Sequence, residues 1–172
     1  TVASVVGVGI RQIISRIPTL PNITFREELI HKSSNLKIYN DSCATSPDAT
    51  IAAIDRFAGR DNLILIIGGA DRELDYTGWS KKIKKMVQSG KVIFLEGSAT
   101  DKMIRALKYD KGRIRTHKTL ESCLRTALKD SEFRKGRDTV VVFSPGAKSF
   151  EKFQNEFDRG RQFNLLVKKL IK

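Results

Sequence analysis

Leu63-Ile-Leu-Ile-Ile67, followed by Gly68-Gly-Ala-Asp-Arg-Glu-Leu-Asp-Tyr76, is the stretch on which the fold turns. Five consecutive aliphatic residues offer water no polar side, so they read as a strand buried on both faces. The paired glycines stop that run and allow close backbone approach, and the pattern beyond them is helical. Two further stretches repeat the arrangement. Leu36 to Tyr39 lead into Asn40-Asp-Ser-Cys-Ala-Thr-Ser-Pro47, and Val140 to Phe143 lead into Ser144-Pro-Gly-Ala-Lys-Ser-Phe150. In an open sheet built of such units, ligands bind beyond the carboxyl ends of the strands. Three polar loops on that edge, with hydroxyls, an Asp and basic side chains, predict one site for an anionic small molecule.

Working outward, residues 2–17 read as one helix, with Val5, Val6, Ile10, Ile13, Ile14 and Ile17 as its apolar stripe. Pro18 and Pro21 end it and begin an extended connection. Glu28 to His31 and Leu36 to Tyr39 flank a turn and predict a hairpin. Helix 47–58 has Ser46 as its cap and Pro47 at its first position, with Gly59 past its end. Strand 62–67, helix 78–89 and strand 91–95 follow. Helix 100–108, a short strand near Ile114, helix 119–131, strand 138–143 and a helical region 149–171 complete the chain. The alternation predicts an α/β, Rossmann-like fold, a mostly parallel sheet with helices on both faces. The opening helix and linker look like the tail of an upstream domain, which places a boundary between residues 1–24 and 25–172.

The 172 residues are 40% apolar and 30% charged, a globular composition, with no apolar run approaching a membrane span of about 20 residues. Residues 1–17 lack a basic leader and a small-residue cleavage site. Cys43 and Cys123 show neither metal spacing nor a disulfide framework, so a reduced, cytoplasmic protein is expected. The net charge of +13 is uneven, with nineteen basic against nine acidic residues in 101–172. Such a field attracts nucleotides, nucleic acid or anionic lipid, and it equally describes solvated Lys-rich helix faces.

Each loop offers specific chemistry. Asp41, at a strand end, suits ribose hydroxyls, and Thr45 can donate to a carboxylate or phosphate; Asp41 and Ser46 equally suit a turn and a helix cap. Cys43 has no base attached to it by sequence pattern. Arg72 suits a bidentate grip on a carboxylate, and Asp71-Arg72 equally suits an ordinary surface loop. Ser144, Lys148 and Ser149 precede a helical pattern whose N-terminal amides suit an anion. His31 and His117 stand alone and read as ordinary residues. No Gly-x-x-x-x-Gly-Lys-Ser/Thr run occurs, so the chain carries no P-loop.

Together these residues resemble a known family. Asn40-Asp-Ser-Cys-Ala-Thr-Ser-Pro47 resembles the Asp-Ser-Lys-Ala-Thr-Asn-Pro signature of Mur ligases, in the branch that adds D-glutamate. Gly68 to Tyr76 is similar to that branch's Gly-Gly-x-Asp-Lys-Gly-x-Asp-Tyr loop. Ser144 to Phe150, then Asp158-Arg-Gly160 and Phe163, is similar to its Ser-Pro-x-x-Ala-Ser-Phe and Arg-Gly-x-x-Phe ending. Phe25-Arg-Glu-Glu28 resembles the His-Arg-x-Glu that closes the central domain. The likeness runs in order from about residue 2 to the end.

The resemblance implies the C-terminal domain of a cytoplasmic, three-domain ligase of peptidoglycan synthesis. That enzyme adds D-glutamate to UDP-N-acetylmuramoyl-L-alanine through an acyl phosphate, using ATP and Mg2+ held by the upstream domains. By position, Arg26 and Asp41 look like nucleotide contacts, and Thr45, Arg72, Ser149 and Phe150 match residues that hold D-glutamate. No catalytic or metal-ligating residue is implied within this chain. Two family lysines are replaced, one by Arg72 and one by Cys43, and only the first replacement keeps the charge. Lys148 stands where the family has a small residue and could restore it. Two alternatives are a folylpolyglutamate-synthase-like ligase domain and a stand-alone basic Rossmann-like module for nucleotide or nucleic acid. Residues 41–46 lack the His that the former carries after Asp-Gly-Ala, and no aromatic-basic or helix-turn-helix motif supports the latter.

Overall fold

A computed structural model of the chain describes residues 2–59, 62–132 and 138–171. Two short helices come first, α1 (Val2–Val5) and α2 (Ile10–Arg16). A hairpin follows, β1 (Glu28–Lys32) and β2 (Leu36–Asn40), with Glu28 opposite Asn40. Helices and strands then alternate as α3 (Pro47–Phe57), β3 (Asn62–Ile67), α4 (Thr77–Met86) and β4 (Val92–Leu95). The rest comprises α5 (Ser98–Leu107), β5 (Arg115–His117), α6 (Leu120–Glu132), β6 (Thr139–Phe143) and α7 (Glu156–Leu170). Among the described residues no helix is long and apolar enough to cross a membrane.

The strand order is β1-β2-β6-β3-β4-β5, and every pairing beyond the hairpin is parallel. Side chains alternate across the sheet, so each buried strand feeds two cores. Leu63, Leu65, Ile67, Val140 and Val142 pack in one core with Trp79 and Ile83 of α4 and Met103 of α5. Ile64, Ile66, Val141 and Phe143 pack in the other with Leu124 of α6 and Phe163 and Val167 of α7. At about 1.5–3 kcal/mol for each large apolar side chain taken from water, these two layers hold the domain together. The α/β, Rossmann-like expectation, with helices on both faces, is met.

Local expectations hold where caps are strong. Ser46 Oγ accepts from Ala49 N at 3.4 Å, and Pro47 opens α3. Elsewhere the boundaries move for physical reasons. The single helix expected over 2–17 is broken, with Gly7 in the left-handed region at φ 85. No residue of α1 or α2 is buried, so packing does nothing to override that break. Helix 78–89 stops at Met86, because Val87 turns extended and buries its side chain. The helix expected over 100–108 starts earlier, at Ser98. The largest shift concerns 149–171: α7 begins only at Glu156, capped by Asn155, and Phe153 N bonds back to Ser149 O at 3.1 Å.

The topology itself locates a crevice. Helices α3 and α4, which follow β2 and β3, lie on one face, whereas α7, which follows β6, lies on the other. Because β6 sits between β2 and β3, adjacent connections diverge at the carboxyl ends of these three strands. That divergence opens a gap where ligands bind in such sheets.

Candidate functional site

The loops after β2, β3 and β6 meet at this gap, as the sequence predicts. Backbone bonds lace them together: Asp41 N to Phe143 O at 2.8 Å, Ser144 N to Ile66 O at 3.1 Å and Gly68 N to Pro145 O at 2.9 Å. Gly146 N reaches Ala44 O at 2.9 Å, and Ala70 pairs with Lys148 in an isolated antiparallel bridge. Gly69 permits that bridge. Its φ is 147, and a Cβ there would stand 2.4 Å from Lys148 O.

The first loop turns Asp41 inward. Its carboxylate accepts from Ser144 Oγ at 2.7 Å and from Glu27 N at 3.2 Å. Burial pushes its pKa up to about 6, opposed by those two hydrogen bonds. At 5% exposure Asp41 ties the linker, the first loop and the third loop together. Arg26 lies outside it, exposed, and its charge reaches the Asp41 carboxylate. Glu27 also pairs with Arg56 of α3, so the linker is held on both sides. Cys43 is buried, burial pushes its thiol up, and its charged neighbours are Arg26, Glu156, Asp41 and Arg159. It therefore contributes no positive charge to the crevice.

The clamp that holds this arrangement is Arg159. It is fully buried, with Nε donating to Ser42 Oγ at 3.0 Å and Nη2 to Ser42 O at 2.7 Å. Its Nη1 donates to Ala147 O at 3.1 Å and Lys148 O at 3.2 Å. Burial lowers its pKa to about 10, which leaves it charged at neutral pH. Asn40 adds a second strut, donating from Nδ2 to Gly160 O at 2.9 Å and to Asn164 Oδ1 at 2.6 Å. Through the sequence, Arg159 and Asn40 are visible only as parts of motifs.

The second and third loops carry the remaining candidate groups. Arg72 is exposed, with its guanidinium 5.4 Å from the centroid of the Phe150 ring. Lys148 is half-buried, and its Nζ donates to Thr45 Oγ1 at 3.3 Å. Lys148 thus turns into the crevice. The hydroxyl of Ser149 is buried without a hydrogen-bond partner. Thr45 and Lys148 thus meet across the first and third loops, Arg72 and Phe150 across the second and third, and Cys43, Arg26 and Asp41 lie on the linker side of the first loop. His117 belongs elsewhere, its ring bonded to Thr126 Oγ1 at 3.0 Å and its pKa lowered by burial.

One relay escapes sequence reasoning. Ser98, at the start of α5, accepts from Asp71 N at 2.8 Å and donates to the Glu151 carboxylate, whose other oxygen takes Ser98 N at 2.9 Å. Lys102 Nζ reaches Asp71 Oδ2 at 3.5 Å. Ser98 therefore joins the loop that carries Arg72 to the segment that carries Phe150. Only the short run Gly97-Ser98 after a buried strand could have signalled it, and that run is common.

Residues 25–146 match the family described as Mur ligase, glutamate ligase domain. The chain belongs to the Mur ligase family. Among curated relatives, the UDP-N-acetylmuramoylalanine–D-glutamate ligase of Borreliella burgdorferi is 38% identical over 86% of this chain and 32% of its own length. The ligase of the same name from Roseiflexus is 32% identical over 94% of this chain and 34% of its own. The chain thus spans about a third of the length of the curated relatives it matches. Two solved structures share the fold. Thermotoga maritima UDP-N-acetylmuramate-alanine ligase aligns with a TM-score of 0.60 at 11% identity, over 98% of this chain and 35% of that one. Mycobacterium tuberculosis folylpolyglutamate synthase, complexed with ADP and AMPPCP, aligns with a TM-score of 0.59 at 16% identity, over 84% and 32%. As a Mur ligase domain, the chain brings its three polar loops together on one sheet edge.

Proposed function

We propose that this Mur ligase domain holds D-glutamate for an ATP-dependent ligase that joins it to UDP-N-acetylmuramoyl-L-alanine in cytoplasmic peptidoglycan synthesis. The observation that carries this reading is that the positions matched to D-glutamate lie on loops joined at residues 70 and 148, with Thr45 on Lys148, Arg72 on Phe150 and the Ser149 hydroxyl buried without a partner. Arg72 neutralises a carboxylate and Phe150 backs its guanidinium. The buried, unpartnered Ser149 hydroxyl supplies a donor, and Lys148 completes the border. Residues 1–24 belong, in this reading, to the central ATP-binding domain and its linker. Their exposed Val5, Val6, Ile10, Ile14 and Ile17 would then cover that upstream body.

The residues present fit the edge of a nucleotide rather than its phosphates. Arg26 is exposed beside the inward Asp41 carboxylate, and each carboxylate oxygen can accept more than one hydrogen bond. Asp41 reaches a ribose hydroxyl by exchanging the Glu27 amide for it. ATP would supply the phosphoryl group that activates the alanyl carboxylate. No group of three His, Cys, Asp or Glu suited to a metal occurs among the described residues. In this reading the magnesium ligands belong to the upstream domains. This chain's own task is positioning: it fixes the two substrate carboxylates so that the amine faces the upstream site.

The test uses the full-length enzyme. Phosphate release should require both UDP-N-acetylmuramoyl-L-alanine and D-glutamate. Arg72→Ala should raise the Michaelis constant for D-glutamate by roughly 10- to 100-fold, as loss of a charge-assisted contact implies. The constant for ATP should stay nearly unchanged, and an equal rise in both would remove Arg72 from the carboxylate.

A further inference from the structure

A lysine on a loop normally extends its ammonium into water. Lys148 turns the other way, half-buried between the first and third loops, with Nζ on Thr45 Oγ1 at 3.3 Å. An ammonium has three donors, and no carboxylate among the described residues pairs with this one. Its backbone is held in place, because its N–H and C=O both bond to Ala70 and Arg159 adds a bond to the carbonyl. Arg72, on the second loop, lies against Phe150 and likewise meets no carboxylate among the described residues. Two unneutralised cations therefore stand on loops stitched together at residues 70 and 148, next to the unpartnered hydroxyl of Ser149.

We infer that Lys148 and Arg72 divide the two carboxylates of one dicarboxylic amino acid between them, which makes Lys148 the specificity-determining cation of this chain. The identity of that amino acid rests on the proposed ligase reading, whereas the two-cation geometry does not. The buried Cys43, on the linker side of the first loop, adds no positive charge, so the cation beside Thr45 comes from the third loop. Thr45 orients the ammonium through its hydroxyl. A ligand with one carboxylate leaves the second cation unneutralised in a partly dehydrated crevice, and this is the source of discrimination.

Wild type, Lys148→Met and Lys148→Arg are compared in the full-length enzyme, with D-glutamate and D-glutamine as substrates. Glutarate and butyrate serve as probes, followed through the Thr45 amide resonance. Lys148→Met should raise KM for D-glutamate at least about tenfold while leaving KM for ATP within about twofold. It should also cut the preference for D-glutamate over D-glutamine by about the same factor, and Lys148→Arg should keep most of both properties. Glutarate, but not butyrate, should shift the Thr45 resonance in wild type and lose that effect in Lys148→Met. A lower unfolding temperature with unchanged Michaelis constants would make Lys148 a structural tether of Thr45 and overturn the inference. Glutarate binding that survives Lys148→Met would overturn it as well. A wild type that binds glutarate through Lys148 yet ligates no D-glutamate would sink the ligase reading and leave the two-cation site standing.

Discussion

A buried carboxylate costs free energy unless donors reach it, and Asp41 meets that requirement with the Ser144 hydroxyl and the Glu27 amide. Burial still outweighs them, lifting its pKa from 3.8 to about 6. A carboxyl with a raised folded pKa contributes stability that is fully present below the unfolded value and is lost as pH rises through the folded one. Asp41→Asn removes that titration and keeps an acceptor for the Glu27 amide. The wild type should therefore lose stability relative to Asp41→Asn, on the order of 1–3 kcal/mol, between about pH 4 and pH 7. Parallel thermal unfolding of the two proteins reads this directly, and a difference flat with pH would contradict it. Sequence reasoning places Asp41 at the end of a strand beside a ligand edge. That it faces inward was not legible, since its donors are 14 and 103 residues away in the chain.

At the scale of elements, α7 shows how one helix can seat a linker. Gly160 faces Phe25, and a Cβ there would stand 2.6 Å from the aromatic ring. Phe25 cannot step aside freely. Its backbone is left-handed at φ 61, its N–H donates to Glu28 Oε2 at 3.0 Å, and its carbonyl accepts from Cys43 N at 3.0 Å. Ala in place of Gly favours a helix by about 0.5–1 kcal/mol, whereas overpacking costs about 1–3 kcal/mol. Gly160→Ala should therefore be net destabilising by about 1 kcal/mol, and in a Phe25→Ala background it should become neutral or stabilising. Urea unfolding of the four proteins gives that cycle, and equal effects in both backgrounds would show that the ring is not the obstacle. The helix starts follow a related rule. Ser46-Pro47 announces α3 because a cap acts within one turn. The delayed start of α7 was not legible, because the Ser98–Glu151 contact draws the preceding segment towards α5 across 53 residues.

For the whole molecule, the division of labour is the question. The chain carries no P-loop sequence and spans about a third of its curated relatives. These 172 residues alone should release no phosphate from ATP above the uncatalysed rate, with or without D-glutamate, as a phosphate-release assay would show. Turnover by this chain alone would overturn the proposed division. The sequence by itself determined the α/β alternation, the hairpin, the three polar loops after buried strands and the likeness to the Mur ligases. All of these rest on local periodicity, capping chemistry or residue order, which a chain carries before it folds. Tertiary structure decided that β6 lies between β2 and β3, that Arg159 grips Ser42 from 117 residues away and that Lys148 turns to Thr45. Those facts depend on packing helices against both sheet faces at once. That packing brings together backbone and side-chain partners whose separation along the chain leaves no mark in the local pattern.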